Sequence, residues 1–409
     1  MTGPKPVVLP LHHGVFRRRF LLLHFLGFKS WIEKNSTDTW VCDLVYRVAK
    51  SCLMYTMKSA RLSILFLACL ASSVGATPEE QAALEVAIAS HEQAVHLMPE
   101  VWMRDPFILR HGSWHYLTAT RQQHVTWGEQ GLELWRSQDF IHWESIGVPW
   151  SFTRSSWLNK FERGPQDPAE FWLLAPEIYF MDDHWVAVHS TNRRRANLLV
   201  SFGGEYNDSF DEPFGGELGQ RHHPSIFTDT DGSRWLVWGC TKIAILNADL
   251  SAFDGAEHRI GPSDRALGHE GSSLIKFGDK YLLFGSAWST DLVGQGTYNL
   301  YYCTSDRLTG PYGPRQFAAR FCGHGTVFQD AKKRWWTTAC GKGTYESDPS
   351  KGQQICGNKQ AWTRNPQGLT LVPMELRLVK DGKVDVRAKD SHYANPGPEE
   401  AQPFTLGTD

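Results

Sequence analysis

The 409-residue chain lacks any long apolar run; its longest, from Leu62 to Leu70, is too short for a spanning helix. It lacks an excess of either charge, because 42 Lys and Arg against 44 Asp and Glu leave a formal net charge of -2. That balance argues against nucleic acid or an acidic membrane surface as a partner. Cysteine is sparse, eight in all, and no pair has the C-x-x-C spacing of a zinc site. What remains is an ordinary globular composition with 41% hydrophobic residues and an unusual wealth of rings, including 17 Trp and 12 Tyr. Rings in such number suit both a β-rich core and a surface that stacks on sugars.

The first 76 residues do not read as part of the fold. "MKSARLSILFLACLASSVGA" from Met57 has a basic start at Lys58 and Arg61, an apolar centre and a small-residue cleavage site, Val74-Gly75-Ala76. The sequence therefore predicts a signal peptide over 57–76, release behind Ala76, no stable membrane insertion, and a secreted or periplasmic product. Residues 1–56 have no place ahead of such a signal, so the true start is expected near Met57. The next stretch, "TPEEQAALEVAIASHEQAV", predicts a helix within 77–94, with Thr77 as N-cap, Pro78 at the first helical position and Glu80 completing a capping box, packed outside the main domain. Of the five later cysteines, at least one is expected as a buried thiol and at most four in disulfides.

Beyond the helix one pattern is said five times: "DPFILRHGSWHYLTA" from Asp105, "APEIYFMDDHWVAVHS" from Ala175, "HPSIFTDTDGSRWLVWG" from His223, "EGSSLIKFGDKYLLFGS" from Glu270 and "HGTVFQDAKKRWWTTA" from His324. Each is a strand, a polar turn and a second strand. Asp229 and Asp231 read as turn residues. Starts roughly 50 to 70 residues apart match four-stranded blades, and the Trp-Asp signature of interaction propellers is missing. The expected fold is all-β, a five-bladed β-propeller over 95–380 behind the short helix, with a loosely ordered tail over 381–409.

In a propeller the first strand of each blade is innermost, so Asp105, Ala175, His223, Glu270 and His324 should meet at one mouth of the channel, the Gly or Pro behind each relieving backbone crowding. Two carboxylates there fit acid/base cleavage of a glycosidic bond. They equally fit a cation plug or solvated acids, and the residues alone leave both open.

The words "RDPFI", "LWRSQDFIHWESIG", "APEIYF", "HPSIFTDTDG", "EGSSLIKFGDKYLLF", "YYCTSDRLTGPYGP" and "GHGTVF" resemble, in order, those of glycoside hydrolase family 43, five-bladed propellers that cleave arabinofuranosides and xylosides with inversion. The resemblance implies Asp105 as general base and Glu270 as general acid. It places His324 where relatives often hold calcium or water at the axis, so no cofactor is required and a structural calcium is the one addition; a hydrogen-bonded core histidine fits the chemistry equally. Glu177 falls where relatives often carry an acid and joins Trp102, Trp127 and Trp288 as substrate-binding candidates. His223 departs from the pattern, standing where relatives have an aspartate that orients the acid and raises its pKa. A neutral imidazole could orient Glu270, whereas a cationic one would work against holding its proton. His223 could instead donate a proton itself, as in the related anhydrogalactose-releasing propellers, or mark a silent, lectin-like site. The expected partner is a plant or algal polysaccharide or oligosaccharide.

Mass spectrometry of the secreted protein is expected to find Thr77 first. An extracellular product that still begins at Met1 would contradict the processing.

Overall fold

The hairpins form because tight turns that need left-handed backbone separate apolar runs. Gly112 follows the first run, Asp182-Asp183 the second and Gly278 the fourth, all with positive φ. Two consecutive left-handed residues, as at Asp182-Asp183, give the turn whose twist matches a hairpin. The structure, a computed structural model, describes residues 77–121, 131–155, 173–191, 195–341, 347–348, 352–355, 358–379 and 382–404. The chain divides at Thr77, and residues 78–409 make one unit.

That unit is a five-bladed β-propeller. Blade I comprises Met103–His111, Trp114–Arg121, Gly131–Ser137 and Glu144–Ser151; blade II, Leu173–Met181, His184–Thr191, Ala196–Ser201 and Phe210–Asp211. Blade III comprises Ser225–Thr228, Arg234–Trp238, Lys242–Leu246 and His258–Arg259; blade IV, Glu270–Phe277, Lys280–Trp288, Gly296–Ser305 and Gln316–Ala319. Blade V takes Val327–Gln329, Trp335–Cys340 and Leu369–Leu378 from the end of the chain and Val95–Leu97 from its beginning. The register Val95↔Leu371 and Leu97↔Leu369 closes the ring. An added strand, Val384–Ala388, carries blade V past the expected limit at 380.

Apolar clusters fill the spaces between neighbouring blades. Phe107, Trp150, Ile178 and Trp185 lie between blades I and II, and Val188, Leu198, Ile226 and Leu236 between II and III. Val237, Leu274, Leu283 and Tyr301 join III to IV; Phe284, Tyr302, Val372 and Met374 join IV to V. Met103, Leu117, Trp336 and Leu371 join V back to I. Burial at about 25 cal/mol per Å² of apolar surface makes these clusters the main cohesive force.

Two expectations about the ends need correction. The helix α1, Pro78–Ser90, begins at Pro78 as expected, but it does not stand outside the domain: Ile88 joins the blade V–I cluster, and Arg334 donates to the carbonyls of Ile88 and Ala89. The C-terminal segment is docked too. Glu400 accepts from the buried Tyr301 hydroxyl at 2.8 Å, Gln402 accepts from Arg315 at 2.7 Å, and Phe404 packs on Tyr301 and Phe317. The segment reads as loosely ordered, yet Glu400 and Gln402 satisfy donors buried beside blade IV. Cys240, Cys303 and Cys322 are free and buried, Cys340 is buried, and no disulfide joins any two of these four described cysteines.

Glu177 lies between blades II and III, where Tyr179 donates to its carboxyl and in turn accepts from the Ile226 amide at 2.9 Å. Burial pushes its pKa from 4.5 up to about 8. The folded chain thus keeps a proton that the unfolded chain loses above 4.5, and stability that is full below that pH is lost as pH rises through about 8. Glu177→Gln is expected to flatten this fall, so that Tm differs less between pH 5 and pH 8 than in the parent; equal slopes would contradict it.

Candidate active site

The inner strands must begin close to the axis, and the backbone there takes a left-handed residue in every blade: Asp105 (φ 53°), Ala175 (45°), His223 (47°), Gly271 (67°) and His324 (60°). For non-glycine residues this conformation costs about 1–3 kcal/mol and needs support from its surroundings. The fourth member corrects the sequence reading. In blade IV the left-handed slot belongs to Gly271, and Glu270 sits one residue earlier, where blade I has Arg104 and blade III has His222. Ladder irregularities agree, falling between Arg104 and Phe107 in blade I and between Glu270 and Ser273 in blade IV. A Cβ at Gly271 would come 3.0 Å from Ser286 Oγ and 3.1 Å from the His324 backbone and ring, tight enough that these neighbours would have to shift.

Four of the expected residues nevertheless converge. The Asp105 side chain is 1% exposed, and its Oδ2 accepts from Thr120 Oγ1 at 2.8 Å. The Thr120 hydroxyl oxygen in turn accepts from the Ala175 amide at 2.7 Å, tying blade I to blade II. On the other oxygen, His324 Nδ1 stands 3.9 Å from Asp105 Oδ1. His324 Nε2 is 2.6 Å from His223 Nδ1, and His223 Nδ1 is 3.5 Å from Glu270 Oε2. A base-like and an acid-like carboxyl are therefore joined through two imidazoles.

Glu270 is the more accessible of the pair, its side chain 16% exposed. Tyr298 donates to its Oε1 at 2.6 Å, while His222 Nε2 lies 3.3 Å from Oε2 and His269 Nε2 lies 3.9 Å from Oε1. Burial, and then the Glu270 charge, hold the Tyr298 phenol well above its ordinary pKa, so it remains a donor. Burial, and then His324, hold His223 well below the usual histidine value. His223 is accordingly neutral near pH 7 and places no cation beside the glutamate. The cation present is Arg104, whose charge is favoured first by Asp105, against burial, and more weakly by Glu270.

The other expected residues fall elsewhere. Glu177 bonds to Tyr179 between blades and is not part of this cluster. Trp288 is buried with its face on Tyr298, ring centres 4.6 Å apart, so it buttresses the donor to Glu270. Trp102 is half-buried at the start of blade I, its carbonyl accepting from Arg121. Trp127 lies outside the described residues. Sequence reasoning missed Arg104, Thr120, His222, His269 and Tyr298. His222 and His269 had a visible signal, each being an imidazole next to a residue already singled out.

Residues 100–366 match the model for glycosyl hydrolases family 43. The chain belongs to that family and is a glycoside hydrolase. It is 24% identical over 267 residues to the extracellular exo-alpha-(1->5)-L-arabinofuranosidase ArbA of Cellvibrio japonicus, covering 58% of this chain and 73% of that protein. Similar solved folds include an endo-1,4-beta-xylanase from Bacteroides thetaiotaomicron (TM-score 0.50, 19% identity, 70% of this chain and 94% of that one). Another is an exo-1,5-alpha-L-arabinanase from a bovine ruminal metagenomic library (TM-score 0.50, 18% identity, 70% and 96%).

Calcium, which the resemblance allows at the axis, takes six to eight oxygen ligands. Beside His324 stand the His223 imidazole, already against Nε2, the Ser286 hydroxyl and Asp105, 3.9 Å from Nδ1, and this set offers too few oxygens to suit that ion.

Tyr298→Phe removes a hydrogen bond to the Glu270 carboxyl, an interaction of about 0.5–1.5 kcal/mol. It is expected to lower kcat/KM by roughly twofold to tenfold. A change under about twofold would show that Glu270 does not depend on the phenol.

Proposed function

We propose that the protein is secreted and hydrolyses O-glycosidic bonds of a plant or algal polysaccharide or oligosaccharide with inversion, Asp105 activating the water and Glu270 protonating the leaving oxygen. The observation that carries this reading is the convergence of Asp105 and Glu270, from blades I and IV, on one cluster in which each carboxyl has its own donor. Hydrolysis with inversion needs two carboxyls in opposite roles, one ionised and one protonated. Asp105 is held by Thr120 and lies beside Arg104, which favours the ionised form a base requires. Glu270 is the more open of the two, as a group that must meet the leaving oxygen should be.

His223 takes the orienting role that an aspartate has in relatives. Being neutral, it can hold Glu270 Oε2 without drawing away its proton. The arabinan- and xylan-directed names of the relatives make pentose polymers the first substrates to test, and acidic or anhydro-sugar glycans the second, because an imidazole would not repel a sulfate or uronate as a carboxylate does.

Glu270→Gln and Asp105→Asn are each expected to cut hydrolysis by about 10²-fold to 10⁴-fold while leaving the Tm near that of the parent. Proton NMR of the first-formed product should show the anomer opposite to the substrate's. Retention of configuration, or near-parent rates in either variant, would overturn the assignment.

A further inference from the structure

The surroundings of Glu270 hold more imidazole than an acid/base pair requires. His222 and His223 are consecutive, and in a regular strand their side chains would point to opposite faces. The left-handed backbone at His223 breaks that alternation. Both rings consequently stack, centres 3.7 Å apart and planes 30° apart, and both offer a nitrogen to the same carboxylate oxygen. His222 Nε2 stands 3.3 Å and His223 Nδ1 3.5 Å from Glu270 Oε2, and the three ligand atoms lie within 4.8 Å of one another.

These spacings are long for N–H···O hydrogen bonds, which centre near 2.9 Å. They fit a shared cation better. Zinc bonds of about 2.0–2.2 Å to nitrogen and oxygen put neighbouring ligands of a tetrahedron roughly 3.3–3.5 Å apart. Two imidazoles and one carboxylate are also the donors that first-row divalent ions favour over calcium or magnesium. The outward nitrogens, His222 Nδ1 and His223 Nε2, are buried without a described hydrogen-bond partner. Each ring can carry its one proton there and turn a lone pair inwards.

We propose that His222, His223 and Glu270 bind a divalent transition-metal ion, zinc in the first instance, and that its occupancy switches hydrolysis off by capturing the Glu270 carboxyl. The second half rests on the reading of Glu270 as the acid; the first does not. On loading, the inward proton of His223 moves to Nε2, the carboxyl proton of Glu270 leaves to solvent, and the ion gains two nitrogens and one oxygen. His324 keeps its own proton on Nδ1, towards Asp105, and its Nε2, 2.6 Å from His223 Nδ1 in the unloaded site, swings back to leave that nitrogen to the ion. A water, or His269 from the exposed side, completes four ligands.

The test uses the full chain stripped of metal by a chelator. Calorimetry with Zn²⁺ should find one ion per chain, and Co²⁺ should give the intense visible absorption of a four-coordinate site. His222→Gln and Glu270→Gln should each weaken zinc by more than the roughly 10- to 100-fold lost when only an outer partner of a ligand is removed. Glu177→Gln, between blades II and III, should leave zinc affinity unchanged, and excess Ca²⁺ should not displace the ion. Melting curves without metal establish that each variant is folded. On the parent, zinc should inhibit hydrolysis in step with occupancy and a chelator should restore it. No zinc binding by the folded parent, a weak six-coordinate cobalt spectrum indifferent to His222, or activation by zinc would overturn the proposal. Because binding is read without substrate, its failure is distinguishable from that of the acid/base roles, which would appear as hydrolysis surviving Glu270→Gln in metal-free protein.

Discussion

Five inner strands have to start near one axis without colliding, and a left-handed residue at the head of each resolves that crowding. The same kink breaks the alternation of side chains along the strand, so residues that would otherwise point between blades turn towards the channel. Three of the five positions carry groups able to bind or move a proton: Asp105, His223 and His324. The fourth blade has Gly271 there, where His324 would crowd a Cβ, and its carboxyl stands one residue earlier, on Glu270. Ring closure by Val95–Leu97 and the clusters between blades hold the strands where the kinks put the groups.

The cluster's chemistry follows from which groups are dry and which are open. Thr120 donates to Asp105 and Arg104 stands beside it, deep in the ring. Tyr298, backed by the face of Trp288, supports Glu270 nearer the opening. His223 and His324 connect the two sides, and burial leaves His223 an uncharged hydrogen-bonding group where relatives have a carboxylate. An imidazole at that place changes what the site can hold as well as how it orients the acid. It gives up repulsion towards anions and gains lone pairs for metal ions.

Much of this was legible in the chain. The hairpins were visible because a strand-turn-strand unit has a short period and distinctive turn residues, and Asp105, His223, Glu270 and His324 were visible because they open those units. The phase of blade IV was not, since Glu-Gly looks like Asp-Pro and His-Pro when the backbone angles are unknown. Tyr298 and Thr120 lie on second and third strands and reach the site only through sheet register, which no local pattern announces. Glu177 had the right neighbourhood in sequence, but its place on the strand points it between blades. The tail resembled a loosely ordered terminus because the partners of Glu400 and Gln402, Tyr301 and Arg315, are about a hundred residues away.

The central claim is that Asp105 is the base in a cluster shaped by left-handed backbone. Glycine tolerates φ 53° without strain, so Asp105→Gly deletes the carboxyl while keeping the kink. The measurement is its rate of glycoside cleavage with and without azide, a small anion able to enter the vacated space and attack the sugar in place of activated water. The account predicts a folded protein with hydrolysis nearly abolished, rescued by azide with formation of a glycosyl azide of inverted configuration. Near-parent hydrolysis by Asp105→Gly without azide would contradict it.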